Sequence, residues 1–165
     1  MPSKVANALT AGLVLIAVVA IIIQTGVLTS PPDDYQTATV TLQDQNGTTL
    51  STVAVRIADT RRKRYVGLSD TESLGENEGM LFVHPSESHH AYVMRDMAFP
   101  LDIVFVDANG TITRIHHAEL ESNASNSALT NYEGTGKYVL EVNHGFTNRT
   151  GVDVGDRVVI PGGVA

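Results

Sequence analysis

Between residues 89 and 97 the chain reads HHAYVMRDM, and two histidines, two methionines, an arginine and an aspartate share nine positions. Side chains of these types ligate metals, move protons and bind anions. Six histidines, His84, His89, His90, His116, His117 and His144, supply nitrogen donors. No His-Glu-x-x-His pair occurs and no cysteine exists, so the helical zinc motif and thiolate clusters are both unavailable. Adjacent histidines on a strand point to opposite faces, so His116 and His117 cannot share one ion without distortion. One histidine from each pair could converge across neighbouring strands. The balance favours exposed or hydrogen-bonded histidines, with no metal and no cofactor expected.

Nucleophilic chemistry has less to work with. There is no Gly-x-Ser-x-Gly elbow, and nothing pairs Ser69 with a base. Paired carboxylates, Asp96 or Asp102 with Glu141, would give a hydrolase its acid and base. The plainer alternative is structural. Asp102 opens a strand after Pro100, where it can cap or pair with Arg64 or Arg95, and Glu141 can be the polar face of its strand. No glycine-rich loop opens a helix to cradle phosphate. The run Arg61-Arg62-Lys63-Arg64 forms a solvated helix face, or else meets an anionic ligand or lipid headgroups.

The elements that must carry these residues are mostly strands. Ala38, Val40 and Leu42 alternate with threonines, and Val53, Val55 and Ile57 continue the period across an Asn46-Gly47 turn, which predicts a hairpin. Thr60 can cap a short helix over 61–68, and Ser69-Asp70-Thr71-Glu72 fits a capping box for a second helical turn. Strands then follow as GMLFVH, AYVMR, LDIVFVD, TITRIHHAEL after a second Asn-Gly turn, KYVLEVN and DRVVI, with a turn-rich GFTNRTGVDVGD before the last. The expected fold is a β-dominated α+β domain: about eight mostly antiparallel strands, one short helical insertion, and a sheet rolled toward a barrel.

The front of the chain differs. Residues 5–28 carry no charge and suffice for a bilayer core, with Lys4 before them and Pro31-Pro32-Asp33-Asp34 after. A cleaved signal peptide is the rival; the apolar run continues past the small-residue site at Ala20, which favours an uncleaved transmembrane helix. The expected organisation is an anchor over 1–28, a linker over 29–35 and a domain over 36–165. The positive flank puts the N-terminus in the cytoplasm and the domain outside the cell membrane.

All eighteen Asp and Glu but only ten of the eleven Lys and Arg lie beyond residue 30, leaving that part at −8. Such a charge argues against nucleic acid and anionic membrane surfaces as partners. An acidic, lysine-poor composition is also what salty surroundings select. With no disulfide available, the domain must stand on its core alone. Four Asn-x-Ser/Thr sequons, at Asn46, Asn109, Asn123 and Asn148, fall in expected turns or loops and are candidate glycosylation sites.

Five ordered blocks, ADTRRKRYVGLS, LGENEGMLFVH, AYVMRDMAFPLDIVFVDANGTITRI, KYVLEVNHG and GVDVGDRVVI, resemble the domain of unknown function family 192 over about residues 50–160. The chain departs from that pattern at Ser69, where the family has methionine, at Val93 for tryptophan, and at Asp96-Met97 for Asn-Thr. The resemblance implies a compact β-rich domain, often exported, and no defined activity. Motif position and strand alternation together mark Arg64, Met94, Arg95, Asp96, Asp102 and Glu141 as a candidate binding pocket. The expected role is a non-catalytic module binding a small molecule, a glycan or an envelope protein. A hydrolase using carboxylates or a weakly bound metal, and a structural glycosylated protein without a pocket, are the alternatives.

Overall fold

Two Asp-x-Asn-Gly-Thr sequences set the turns of the sheet. In each, the aspartate carboxylate accepts backbone N–H bonds from the asparagine and the threonine, at 2.7–2.9 Å. Gly47 and Gly110 take φ of +86° and +87°, which L side chains adopt poorly. The computed structural model describes residues 35–121, 125 and 128–164; the expected anchor, nearly all of the linker and Asn123 lie outside them. The strands are β1 (Thr37–Gln43), β2 (Thr49–Ala58), β3 (Glu78–Tyr92), β4 (Leu101–Val106), β5 (Ile112–Ala118), β6 (Tyr132–Asn143) and β7 (Arg157–Val159). Two short helices, α1 (Arg61–Val66) and α2 (Phe146–Thr150), complete the described elements. No helix among the described residues is long and apolar enough to cross a membrane.

The seven strands form one sheet in the order β5-β4-β6-β3-β2-β1-β7. All pairs are antiparallel except β2–β3, whose parallel register requires the crossover that contains α1. The sheet curls until its two ends touch. Thr111 bridges Arg157, the Ile112 N–H reaches the Asp156 carbonyl at 2.8 Å, and the Val158 N–H reaches the Gly110 carbonyl at 2.8 Å.

The strand count is seven rather than eight, because the segments GMLFVH and AYVMR belong to one strand. Pro85-Ser86-Glu87-Ser88 offers no Gly or Asn for a tight turn. The chain instead bends at a register shift between Val83 and Ser88 and keeps pairing with β6 on both sides. A second correction concerns the helices. Thr60 caps α1 as its sequence suggests, with Oγ1 accepting from the Lys63 N–H at 3.2 Å. The capping-box match at 69–72 forms only turns, and the second helix is α2, inside the stretch read as turns.

The sheet has two apolar faces. One cluster joins residues of all seven strands, including Ile112 and Val158 from opposite ends, so it fills the inside of the curl. The other, with Met80, Phe82, Ile103, Phe105 and Val139, lies on the outer face and is covered by Leu68 beyond α1 and Met94 before β4. Every residue of β4 is therefore buried, which explains a strand with only one charged residue.

Candidate functional site

The outer face carries an open cavity of about 340 Å³. Its floor is β3 and β6; its walls are α1 and the segment between β3 and β4. On β6, Glu141 alternates with Val139 and stands opposite Met80 and Ile103, so its side chain shares the apolar outer face and lines the cavity. Glu141 is only 6% exposed. No hydrogen bond or ion pair reaches it among the described residues. Burial pushes its carboxyl up to about 8, so it is protonated at neutral pH. Beside it β3 must be glycine at Gly79, where a Cβ would lie 2.5 Å from the Glu141 carbonyl oxygen.

Three arginines line the same cavity: Arg61, Arg64 and Arg95. Arg64 Nη1 donates to the carbonyls of Asp59 and Val83 at 2.7 Å each, fastening α1 to β3. No carboxylate lies within ion-pair distance of it among the described residues. Arg95 Nη2 donates to the Tyr65 carbonyl at 2.6 Å, and its guanidinium stacks 4.2 Å above the Tyr65 ring. This clips the segment after β3 to the end of α1. Gly67 ends α1 at φ +56° and ψ −131°, a conformation closed to other residues, and turns the chain along the cavity edge.

The remaining floor is aromatic. His84 and His90 stack with centroids 3.6 Å apart, and His84 Nε2 lies 3.0 Å from the Tyr92 hydroxyl. Burial first, then His90 and Arg64, lower His84 to about 4, so it is neutral at physiological pH. Burial lowers His90 as well, opposed by its contact with the Gly136 carbonyl. Burial and Glu141 push Tyr92 up.

The structure thus brings Arg64, Arg95 and Glu141 of the expected pocket together. Met94 is buried in the outer cluster instead of lining the cavity. Asp96 is exposed at φ +55°, with Oδ2 3.8 Å from Arg95 Nε. Asp102 lies across the sheet. It alternates with Ile103 and stands opposite Val142, an inner-face residue. The histidines His84 and His90 and the tyrosine Tyr92 are cavity residues that motif position did not single out; His84 closes the block GMLFVH, Tyr92 lies in AYVMR, and His90 immediately precedes it in the crowded stretch 89–97.

Asp102 belongs to a second cluster. It is fully buried, and both oxygens are used. Oδ1 lies 2.7 Å from His117 Nδ1 and accepts the Gly145 N–H at 3.1 Å. Oδ2 accepts the Thr147 N–H at 2.9 Å and its hydroxyl at 2.7 Å. Burial pushes this carboxyl up, but the bonds from His117, Thr147 and Gly145 together outweigh it and leave the group below its ordinary value. Asp102 therefore caps α2, whose own N-cap Gly145 has no side chain to do so. His144 is adjacent, its ring 5.9 Å from that of His117 and its Nε2 3.3 Å from Glu119 Oε1. Asp102, His117 and His144 each offer a donor atom within 4.8 Å of the others, the one such grouping of three or more metal-ligating residues among the described residues.

Comparison with known proteins fixes the kinship of this architecture. No curated protein matches the chain. A solved structure of a proposed transcription regulator from Sinorhizobium meliloti is similar at 30% identity and a TM-score of 0.69, covering 78% of this chain and 96% of that one. A protein of unknown function from Novosphingobium aromaticivorans is similar at 28% identity and a TM-score of 0.64, covering 79% and 89%. The profile of DUF192, described as uncharacterized ACR, matches residues 41–160. That span takes in both the cavity residues and the Asp102 cluster, and the chain belongs to the DUF192 family.

Proposed function

We propose that this protein is a non-catalytic ligand-binding module of the cell envelope, and that its outer-face cavity takes a small molecule bearing an anionic group. Glu141 carries the proposal. Its carboxyl is nearly buried, lines the cavity and has no hydrogen-bond partner among the described residues, and that burial costs stability. Such groups mark places where a ligand completes the bonding. The cavity is large enough for a metabolite-sized molecule. With Glu141 neutral, the ionised groups lining it are the three arginines. Arg64 and Arg95 pair with the anionic group, and protonated Glu141 donates to an acceptor elsewhere on the ligand.

The hydrolase alternative needs a second carboxyl beside the first. Glu141 is the only carboxyl among the lining residues, and Asp102 serves the opposite face. A role in transcription, which the description of the Sinorhizobium relative carries, is not adopted, because a domain at −8 repels nucleic acid. The uncharged run over 5–28 and the charges flanking it support a membrane anchor with the domain outside. Asn46, Asn109 and Asn148 are exposed, which suits glycan attachment.

The test is thermal unfolding of the full-length chain in detergent, with inorganic phosphate, citrate, a neutral disaccharide and a primary amine as probes. An anion at about 100 times its Kd adds ~2.7 kcal/mol, a shift of several degrees. Arg64→Ala should abolish the shift and thereby separate binding from general salting-out. A response to the sugar or the amine alone, or an anion response that survives Arg64→Ala, would overturn the proposal.

A further inference from the structure

We propose that Asp102, His117 and His144, joined by Glu119, form a binding site for one divalent first-row transition ion, separate from the outer-face cavity. Three parts of the chain deliver the donors: the start of β4, the end of β5, and the turn from β6 into α2. On β5, His117 precedes Ala118, which packs into the outer cluster, and stands opposite Asp102, so its side chain projects to the other side, while Glu119 lies just beyond the strand end. His144 Nε2 and Glu119 Oε1 are already 3.3 Å apart. The set is two imidazoles and two carboxylates, which suits zinc and its first-row neighbours over calcium or magnesium.

Asp102 gives this cluster what surface histidines lack. Its carboxyl is fully buried, and the Thr147 and Gly145 bonds fix its orientation. Ligands held from behind in this way bind metal more tightly than free ones. The ion takes the place of the proton between Asp102 Oδ1 and His117 Nδ1, and the imidazole proton moves to Nε2. Metal–ligand bonds of about 2.0–2.2 Å need these atoms somewhat further apart than the 2.7 Å between them. His117 can supply that movement, its side chain being 43% exposed. The remaining histidines are placed differently. His84 and His90 have Nε2 against the Tyr92 hydroxyl and the Gly136 carbonyl, and the one carboxyl of their cavity is protonated.

The experiment is calorimetric titration of the chelator-treated, tag-free, full-length chain in detergent with zinc at pH 7, repeated with cobalt to record its visible absorption. The expected result is one ion per chain with Kd below about 1 μM and a cobalt spectrum of four or five ligands. His117→Gln and His144→Ala should each weaken binding by about 10–100-fold, while His84→Ala leaves it unchanged. His144→Ala removes no bond to Asp102, so it stays folded and remains decisive if His117→Gln does not. Absence of binding, or binding equally tight in His144→Ala and in the parent chain, would overturn the proposal.

Discussion

Asp102 and Glu141 sit on neighbouring strands, one register step apart: Asp102 opposite Val142, Ile103 opposite Glu141. Both are buried acids in a two-faced sheet. One is held below its ordinary pKa and the other pushed up to about 8. Burial acts in the same direction on both, so it does not decide the outcome. Hydrogen bonds do: Asp102 has four donor contacts and Glu141 has none among the described residues. The sheet thus keeps one carboxylate as a structural anion and one carboxylic acid as an unspent donor, on opposite faces of the same pair of strands.

Removing the charge at Asp102 breaks this comparison most severely. Asp102→Asn leaves donors from His117, Gly145 and Thr147 short of an anion and should cost about 3–5 kcal/mol, measured by urea unfolding. Because the folded-state value is lowered, the stability that Asp102 supplies is present above the ordinary carboxylate range and is lost as pH falls through the depressed value. Glu141 works the other way. Its folded-state value is raised, so stability is full below about 4.5 and declines as pH rises towards about 8. Glu141→Gln should therefore stabilise the protein by about 3 kcal/mol at pH 7, and the gain should vanish near pH 4.5. A gain that persisted there would show that packing, and not ionisation, is the cause. The mildest change is Thr60→Ala, which removes the α1 cap and costs about 1 kcal/mol. It touches the wall that holds Arg64 but neither carboxyl, so anion affinity should weaken in titration while zinc affinity stays constant.

Local signals in the sequence were enough for much of this fold. The Asn-Gly turns, the alternation of β1 and β2 and the Thr60 cap all rest on residues close together in the chain. What the sequence hid depends on distant contacts. The cap of α2 comes from Asp102, 43 residues before Gly145, so no local pattern around Phe146 announces a helix. The single long β3 was hidden because Pro85 looks like a break, while β6 holds both halves in one strand. Alternation puts Glu141 on one face of β6 but cannot say that Leu68 and Met94 cover that face. Hence Arg64, Arg95 and Glu141 were legible as candidates, whereas the division between them and Asp102 was not.

The pairing of β1 with β7 has a consequence for how the molecule is made. Thr41 and Val159 are partners, yet nearly the whole domain lies between them. Sequence-distant pairing of this kind is slow to form, because a long loop must close first. A chain emerging from its N-terminus can pair β1 with β2 early. It cannot satisfy the other edge of β1 until β7 has appeared. Loss of the final ten residues would leave that edge open to strand addition by another copy. Completeness of folding should therefore be read at β7: a nascent chain becomes self-sufficient only when that strand docks.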